Sequence, residues 1–509
     1  MADRQRLQDG QLRMDGGLNT VSDDSALTPT QIRKAQNTRL TSFGALVKRG
    51  GTKRMADTLT NRIQGGTTWY RAGSTPLIVF AANGNLYSAT YGTTPWTLTN
   101  VSSALSTTVD PSFAQFRDGS SDVLYISDGG ALNKWNGTTF SANIVGTTST
   151  TQIVVHNERL WGCGNSSFPN SIFYSALNNG DSLGNGGSGG GQIVVRTFGN
   201  EEVIGLASLG TSLLIFHRRG ISRLTGYGQD DITVLPAGLT SDVGLIAPKS
   251  ITVIDNVCYF VSERGLYRCT EAEVASVSTP ELPDQLLPII RTLTTTQFSA
   301  IRAMVNRATR ELWISIPSIG LLPFHLTLQA WAGPWDTGYL SPDTSALWET
   351  SDANGLPVAL KGDTSGWVSL CDAFGQSSPN MDNVAPDGTG GTIYSMTAQL
   401  RRMYCGDDAL SKTLRFGYLT AQLRGSTSCS VTWKTESDAE SYTLPPSSGS
   451  VWGIGTWTGS VAWGGAGSQN YRVQMSGTGY YIDVTIIDSS TAIPTFSRMQ
   501  LEAFALGRR

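Results

Sequence analysis

Histidine is nearly absent from this 509-residue chain: His156, His217 and His325 are the whole set. A histidine general base or a zinc site of ordinary spacing has little to draw on. Cysteine is sparse too, with six residues at 163, 258, 269, 371, 405 and 429 and no CxxC pair. That pattern excludes a zinc ribbon and does not form a disulfide framework. Asp, Glu, Lys and Arg make up only 15%, against about 25% in an average soluble protein. The formal net charge of -3 demands neither a nucleic-acid partner nor a polycation. No apolar run approaches the roughly 20 residues that span a bilayer, so no membrane anchor is expected. The opening carries Arg4, Arg6 and Arg13 without the apolar stretch of a secretory signal, and a soluble protein made in a cytoplasm is expected. Also missing are the glycine-lysine phosphate loop, the HExxH helix and the GxSxG elbow. No cofactor, no metal and no enzymatic activity are expected.

Glycine is what the chain has most visibly, at 57 residues, together with abundant Ser and Thr and 13 Trp. That composition suits short strands joined by tight turns. Between about 65 and 375 the same unit recurs: an apolar strand, a Gly-bearing turn and a second strand. Leu77-Ile78-Val79-Phe80 precedes Asn83-Gly84-Asn85, Val123-Leu124-Tyr125-Ile126 precedes Asp128-Gly129-Gly130, and Leu213-Leu214-Ile215-Phe216 precedes Arg219-Gly220. With Val79, Tyr125, Phe173, Ile215, Tyr259, Trp313 and Val358 as strand centres, the steps are 46, 48, 42, 44, 54 and 45. A period of about 40 to 50 residues with several short strands per unit marks a β-propeller. Six to eight blades fit, with seven central. The hairpin Ile153 to Trp161 falls out of phase, and a pair of sandwiches or an irregular β-array competes with the propeller.

The flanks differ from this middle. Residues 1–64 hold few apolar runs; Thr28-Pro29 opens a helix-compatible stretch from Ile32 to Leu40, and a basic linker follows. An extended N-terminal arm with a hairpin or short helix is expected, laid on another surface, its own or a neighbour's, and serving assembly instead of folding. Residues 65–384 form the propeller-like domain. The Gly-rich stretch Asn178 to Gly191 reads as a flexible excursion, and Glu281 to Leu293 as a helix that Pro288 kinks or ends. Residues 385–509 read as a C-terminal β-sandwich, because Tyr471 to Met475 and Tyr481 to Ile486 alternate apolar with polar. The fold class is all-β throughout.

Few residues carry candidate chemistry. A turn centred on Glu263-Arg264 sets Cys258 and Cys269 face to face, either as a disulfide or as two buried small hydrophobes. Asp128-Gly129-Gly130 with Trp135, and Asp363 with Gly366-Trp367, resemble the Asp-box turns of sialidase propellers but lack the full pattern. An Asp-capped turn between blade strands is the preferred reading. Lys48, Arg49, Lys53 and Arg54 form the one basic cluster, able to touch phosphate or to dock on an acidic neighbour. Trp452, Trp457 and Trp463 lie in a Trp-Gly-rich stretch that either binds a partner or packs in its own domain.

The run Leu214-Ile215-Phe216-His217-Arg218-Arg219-Gly220-Ile221-Ser222-Arg223-Leu224-Thr225-Gly226 continues through Gly244-Leu245-Ile246-Ala247-Pro248-Lys249-Ser250-Ile251 and Val257 to Tyr267. It resembles the propeller of the tail-tube hub, or nozzle, proteins of short-tailed bacteriophages. The openings Gly16-Gly17-Leu18-Asn19, Ala35-Gln36-Asn37 and Gly44-Ala45-Leu46-Val47-Lys48-Arg49, and the ending Gly507-Arg508-Arg509, are similar to phage tail proteins. The resemblance implies a virion component. It would be a homo-oligomeric ring, commonly a hexamer, below the portal and its head-to-tail adaptor. Genomic double-stranded DNA would pass through without sequence-specific binding, and tail fibres or spikes would attach. Two rivals are a tail-tip receptor-binding module and a carbohydrate-active propeller enzyme.

Overall fold

The computed structural model describes residues 6–8, 12–59, 61–227, 230–235, 239–240, 242–279, 283–340, 342–372, 381–405, 408–423, 428–445 and 468–507. The chain is all-β. Among the described residues it forms seven four-stranded antiparallel sheets and two larger ones.

The seven small sheets follow one another along the chain, and their second strands explain why. These strands are Leu77–Ala82, Ser121–Ser127, Arg159–Cys163, Ser212–Phe216, Val257–Ser262, Glu311–Ile316 and Pro357–Asp363. Most are continuous apolar runs, which would be wrong for a sheet with one wet face. Alternate side chains of each enter two different cores. Leu213 and Ile215 pack with Trp161 and Ile172 of the sheet before, while Leu214 and Phe216 pack with Cys258 and Phe260 of the sheet after. Leu124 and Ile126 meet Trp69, and Tyr125 meets Ile153 and Leu160. The first strand of each sheet packs on that of the next, and Thr344–Ser351 of the seventh packs back on Ile63–Trp69 of the first. Ile78, Phe80, Trp348 and Leu360 fill that last interface. The arrangement is propeller-like.

The seventh sheet takes its fourth strand from the other end of the domain. Thr52–Arg54 pairs antiparallel with Val368–Cys371, with Leu370 opposite Lys53. The described residues of this opening, 6–8, 12–59 and 61–64, are therefore not a separate arm: they enter the chain's own sheets. Of the expected hairpin or short helix the structure has a hairpin: Ile32–Gln36 and Thr38–Leu40 are strands, and Thr38–Leu40 turns back on Leu46–Lys48. Asn37 between them has φ 53°, a left-handed conformation that Asn tolerates and that breaks any helix. Ile32–Gln36 pairs with Met396–Leu400, and Leu46–Lys48 pairs with Thr495–Gly507. One five-stranded sheet runs through Met396–Leu400, Asp483–Asp488 and Cys429–Lys434. An eight-stranded sheet is built on the long pair Ser411–Gln422 and Thr495–Gly507. A shared core of Met14, Ile32, Leu40, Leu46, Met396, Val431, Val484 and Leu501 lies in these two sheets. The polar composition of the opening hid this, because only one face of each short strand is apolar.

Other expectations shift for local reasons. The third sheet's second strand centres on Trp161, and Phe173 belongs to its third strand, Ser171–Tyr174. The out-of-phase hairpin is thus in phase, and the loop from Ala176 to Gly190 distorts the spacing. That loop is not a featureless excursion. It makes two 3-10 turns, Gly180–Ser182 and Gly186–Ser188. Ser182 Oγ accepts from Ala176 N at 2.8 Å, and Leu183 joins the core beside Phe173. Within the expected helical stretch the helix is the short Leu286–Ile290, and a second, Thr295–Ala300, follows beyond it. Pro288 sits in the first turn of the former, where its missing N–H breaks no intrahelical bond. Thr294 and Gln297 form a capping box on the latter.

Two predictions follow from this packing. Deleting residues 2–45 removes strands from both large sheets, so the truncated chain is expected to be insoluble or to lose cooperative unfolding by circular dichroism. A soluble truncation with a native-like spectrum and melt would return these residues to the status of an arm. Cys258 and Cys269 face each other as expected, opposite residues of one hairpin. All six thiols are free and buried, and burial pushes Cys163, Cys269, Cys371 and Cys429 up to about 12. Native protein should be inert to a thiol-disulfide reagent, and unfolded protein should release six equivalents. Four would mean a Cys258–Cys269 disulfide.

Candidate interaction sites at the junction of the chain ends

The fold divides the basic cluster. Lys48 ends the strand Leu46–Lys48 and is fully buried. Its ammonium donates to Asp488 Oδ2 at 3.1 Å and to the Ser490 carbonyl, and it lies 4.8 Å from the centre of the Tyr394 ring. Burial lowers its pKa, with Asp488 opposing. Arg49 is equally buried. Its two terminal nitrogens donate to the two oxygens of Asp382, Nη1 at 2.8 Å, and Nε donates to Asn37 Oδ1 at 3.0 Å. Nη2 also reaches the Thr337 carbonyl at 2.7 Å, and the guanidinium stacks 3.8 Å above Tyr394. Burial alone would lower the Arg49 pKa; the paired Asp382 outweighs it and holds it above the ordinary value. Arg39 nearby is shared by Asp372 and Glu311.

These pairs join three parts of the molecule. Arg49 comes from the N-terminal strands, Thr337 follows the sixth sheet, and Asp382 follows the seventh. Asp488 belongs to the five-stranded sheet. Lys48 and Arg49 cannot contact phosphate on a partner, because no part of either head reaches solvent. Lys53 and Arg54 are half-buried on the closing strand, and Arg54 stacks 4.0 Å over Trp367. The four residues therefore do not form one patch. Trp452, Trp457 and Trp463 lie outside the described residues.

Sequence reasoning missed the acidic half of this network. One signal was present. In Asp483–Asp488 the buried positions are Val484, Ile486 and Asp488. Period-2 alternation places a carboxylate on the apolar face, which requires a buried cation. Asp372 and Asp382 lie in irregular segments where no periodicity points at them.

An apolar cavity of about 430 Å3 opens beside this junction, lined by Leu18, Ala35, Ile289, Ile319, Leu322 and Pro334. Its polar lining is Thr20, Lys34, Gln36, Gln285 and Thr397, of which Thr20 Oγ1 donates to Gln285 Oε1 at 2.7 Å.

The histidines and carboxylates are engaged elsewhere. His217 Nε2 lies 3.3 Å from Ser222 Oγ, and its Nδ1 lies 3.2 Å from the Glu202 carbonyl. Ser222 is fully buried, so that pair meets no substrate. Burial lowers the pKa of all three histidines and favours their neutral forms. Asp118 and Asp181 both accept from the Tyr125 hydroxyl, at 2.9 and 2.8 Å, and Lys134 lies against both. Asp363 Oδ1 accepts from Ser365 N and Trp367 N, and Asp128 Oδ1 from Gly130 N. These are Asp-capped turns. Among the described residues no group of three or more His, Cys, Asp or Glu is placed to hold a metal.

No protein-family model matches the chain, and no curated protein does. One similar solved structure is described as the extracellular domain of a hybrid two-component system from B. thetaiotaomicron, at 14% identity and a TM-score of 0.38. The match covers 67% of this chain and 45% of that one. At that score it carries no argument about role.

The Arg49–Asp382 pair gives a direct test of the junction. Arg49→Met leaves a buried carboxylate without its cation, which costs about 3–5 kcal/mol. The midpoint of urea unfolding should fall accordingly. Adding Asp382→Asn should recover part of the loss, because the stranded charge is removed. A midpoint unchanged in Arg49→Met would show that the pair holds nothing together.

Proposed function

We propose that this chain is a structural subunit of a short-tailed bacteriophage tail. It is one copy of a homo-oligomeric ring, a hexamer, that extends the DNA ejection channel below the portal and its adaptor and supports fibres or spikes. In this reading the seven four-stranded sheets are the blades of a seven-bladed propeller. The five- and eight-stranded sheets are a sandwich built from both chain ends.

The observation that carries the reading is the interlock of those ends. The N-terminal strands complete the seventh sheet and both large sheets, and buried ion pairs join the three parts at one junction. No terminal strand there can peel away alone without exposing charge that the interior has already desolvated. A ring that holds its position while DNA moves through it needs that rigidity. The run that resembles the nozzle family, Leu214 to Tyr267, falls in the fourth and fifth sheets and in the turn between them. The net charge of -3 agrees with a wall that lets a polyanion slide, since each Lys or Arg bound to phosphate adds to retention.

The test is the assembly state of the purified chain and its place in the virion. Light scattering is expected to give six times the 54.4 kDa chain mass. Electron microscopy should show a ring with a central channel, and gold-labelled antibody should mark tails. Little complex with double-stranded DNA should form near physiological salt. A stable monomer together with unlabelled virions would overturn the proposal. So would saccharide turnover lost on mutating a carboxylate pair.

A further inference from the structure

One mouth of the closed circuit of first strands gathers charge that the fold does not balance. Arg62 precedes the first strand of the first sheet, Asp110 and Pro111 precede that of the second, and Arg302 begins that of the sixth. Lys249 sits on the 3-10 turn Pro248–Ser250 that leads into the fifth. Its Nζ donates to the Pro111 carbonyl at 3.1 Å, so this side chain crosses the axis from the fifth sheet to the second. Asp110 bridges the two guanidiniums: it accepts from Arg302 Nη2 and Arg62 Nη2, and from Arg62 Nη1 at 3.3 Å. Two guanidiniums thus share one carboxylate, and Lys249 is held at the carbonyl of the next residue.

Donors are left over. Arg302 uses Nε on the Ser345 carbonyl at 3.0 Å and Nη1 on the carbonyls of Ser299 and Ile301. Lys249 has one protein acceptor among the described residues, a neutral carbonyl, for its three N–H bonds. Arg62 leaves Nε without an acceptor among the described residues, and its side chain is 38% exposed, so the cluster is open to solvent. A half-buried ammonium held beside a guanidinium, with a neutral partner, is an arrangement short of an anion. Burial and Arg302 together lower the Lys249 pKa to about 8.

We propose that Lys249, Arg62 and Arg302 form an axial site for a phosphate-class oxyanion, with Asp110 fixing the guanidiniums. The oxyanion takes the unspent N–H donors of Lys249 and Arg62 and brings the site closer to neutrality. Its chemistry is shared by free phosphate and by a terminal phosphate of a nucleic-acid strand. The site depends only on the ring of first strands and stands whether or not the chain is a tail component.

The experiment uses the full chain, stripped of phosphate, in chloride buffer at constant ionic strength. Inorganic phosphate is titrated by calorimetry and by thermal shift, and a short 5′-phosphorylated oligonucleotide is titrated in parallel against its unphosphorylated form. Saturable phosphate binding is expected. Lys249→Met should weaken it about tenfold or more, the loss of one charge-assisted hydrogen bond. Arg62→Gln, at the half-exposed position, should weaken it several-fold in a chain that still folds, which keeps the test valid if Lys249→Met does not fold. Binding of the phosphorylated oligonucleotide alone of the two would identify a strand end as a source; binding of inorganic phosphate only would restrict the site to small ions. Phosphate that does no more than chloride, or affinity unchanged in Arg62→Gln, would overturn the proposal.

Discussion

Everything in the larger part of this protein depends on strands that are apolar on both faces. A single sheet built on Leu213-Leu214-Ile215-Phe216 buries one face and exposes the other, and the exposed one carries large side chains. A second sheet covers that face but leaves its own far face open. The series ends only when the last sheet meets the first. Here that meeting is made by Phe80 and Trp348, with ring centres 6.4 Å apart. Closure is thus a requirement of the side-chain pattern, not an added feature. The hydrophobic term is roughly proportional to the area removed from water, so an open array would forfeit one whole interface.

The chain ends solve a second problem created by the first. A closed ring of sheets is weakest where its first and last members join, since one covalent connection is missing there. Thr52–Arg54 crosses that seam by completing the seventh sheet from the N-terminal side. The segment around it is then held by Arg39, Lys48 and Arg49. Buried pairs of this kind add little net stability over an apolar core, because desolvation offsets attraction. What they supply is intolerance of alternatives: Arg49 has its partners only when Asn37, Thr337 and Asp382 are all in place. This is specificity of assembly expressed within one chain.

The repeating part was legible in the sequence because its signal is periodic and strong. Apolar runs and Gly-bearing turns return at a near-constant interval, and the choice of Phe173 over Trp161 failed only where an ordered loop stretched one unit. The ends were not legible for the opposite reason. Strands of three to five residues, such as Ile32–Gln36 and Thr38–Leu40, are shorter than the window that distinguishes strand from helix. Thr38–Leu40 pairs locally with Leu46–Lys48, but the partners that tie this region into the large sheets lie some 360 to 450 residues away along the chain, as with Ile32 and Leu400 or Val47 and Thr495, and no local pattern encodes such a pairing. Charge was misread in the same way. Lys48 and Arg49 look like a surface cluster next to Lys53 and Arg54. The strand that carries them enters the interior, and Asp488 on an apolar-parity position was the single sequence feature that pointed there.

The low charge content then takes on a meaning. Part of the little charge this chain has is directed inward, to Asp382, Asp372, Glu311 and Asp488 at the junction and to Asp110 at the mouth of the ring. The outer turns carry Gly, Asn, Ser and Thr instead. Such a surface offers few handles for salt-sensitive contacts, since screening acts on exposed charges and hardly on buried ones. The mouth of the ring differs: there Arg62 remains open to solvent, and Lys249 has a neutral carbonyl and no carboxylate within ion-pair distance among the described residues.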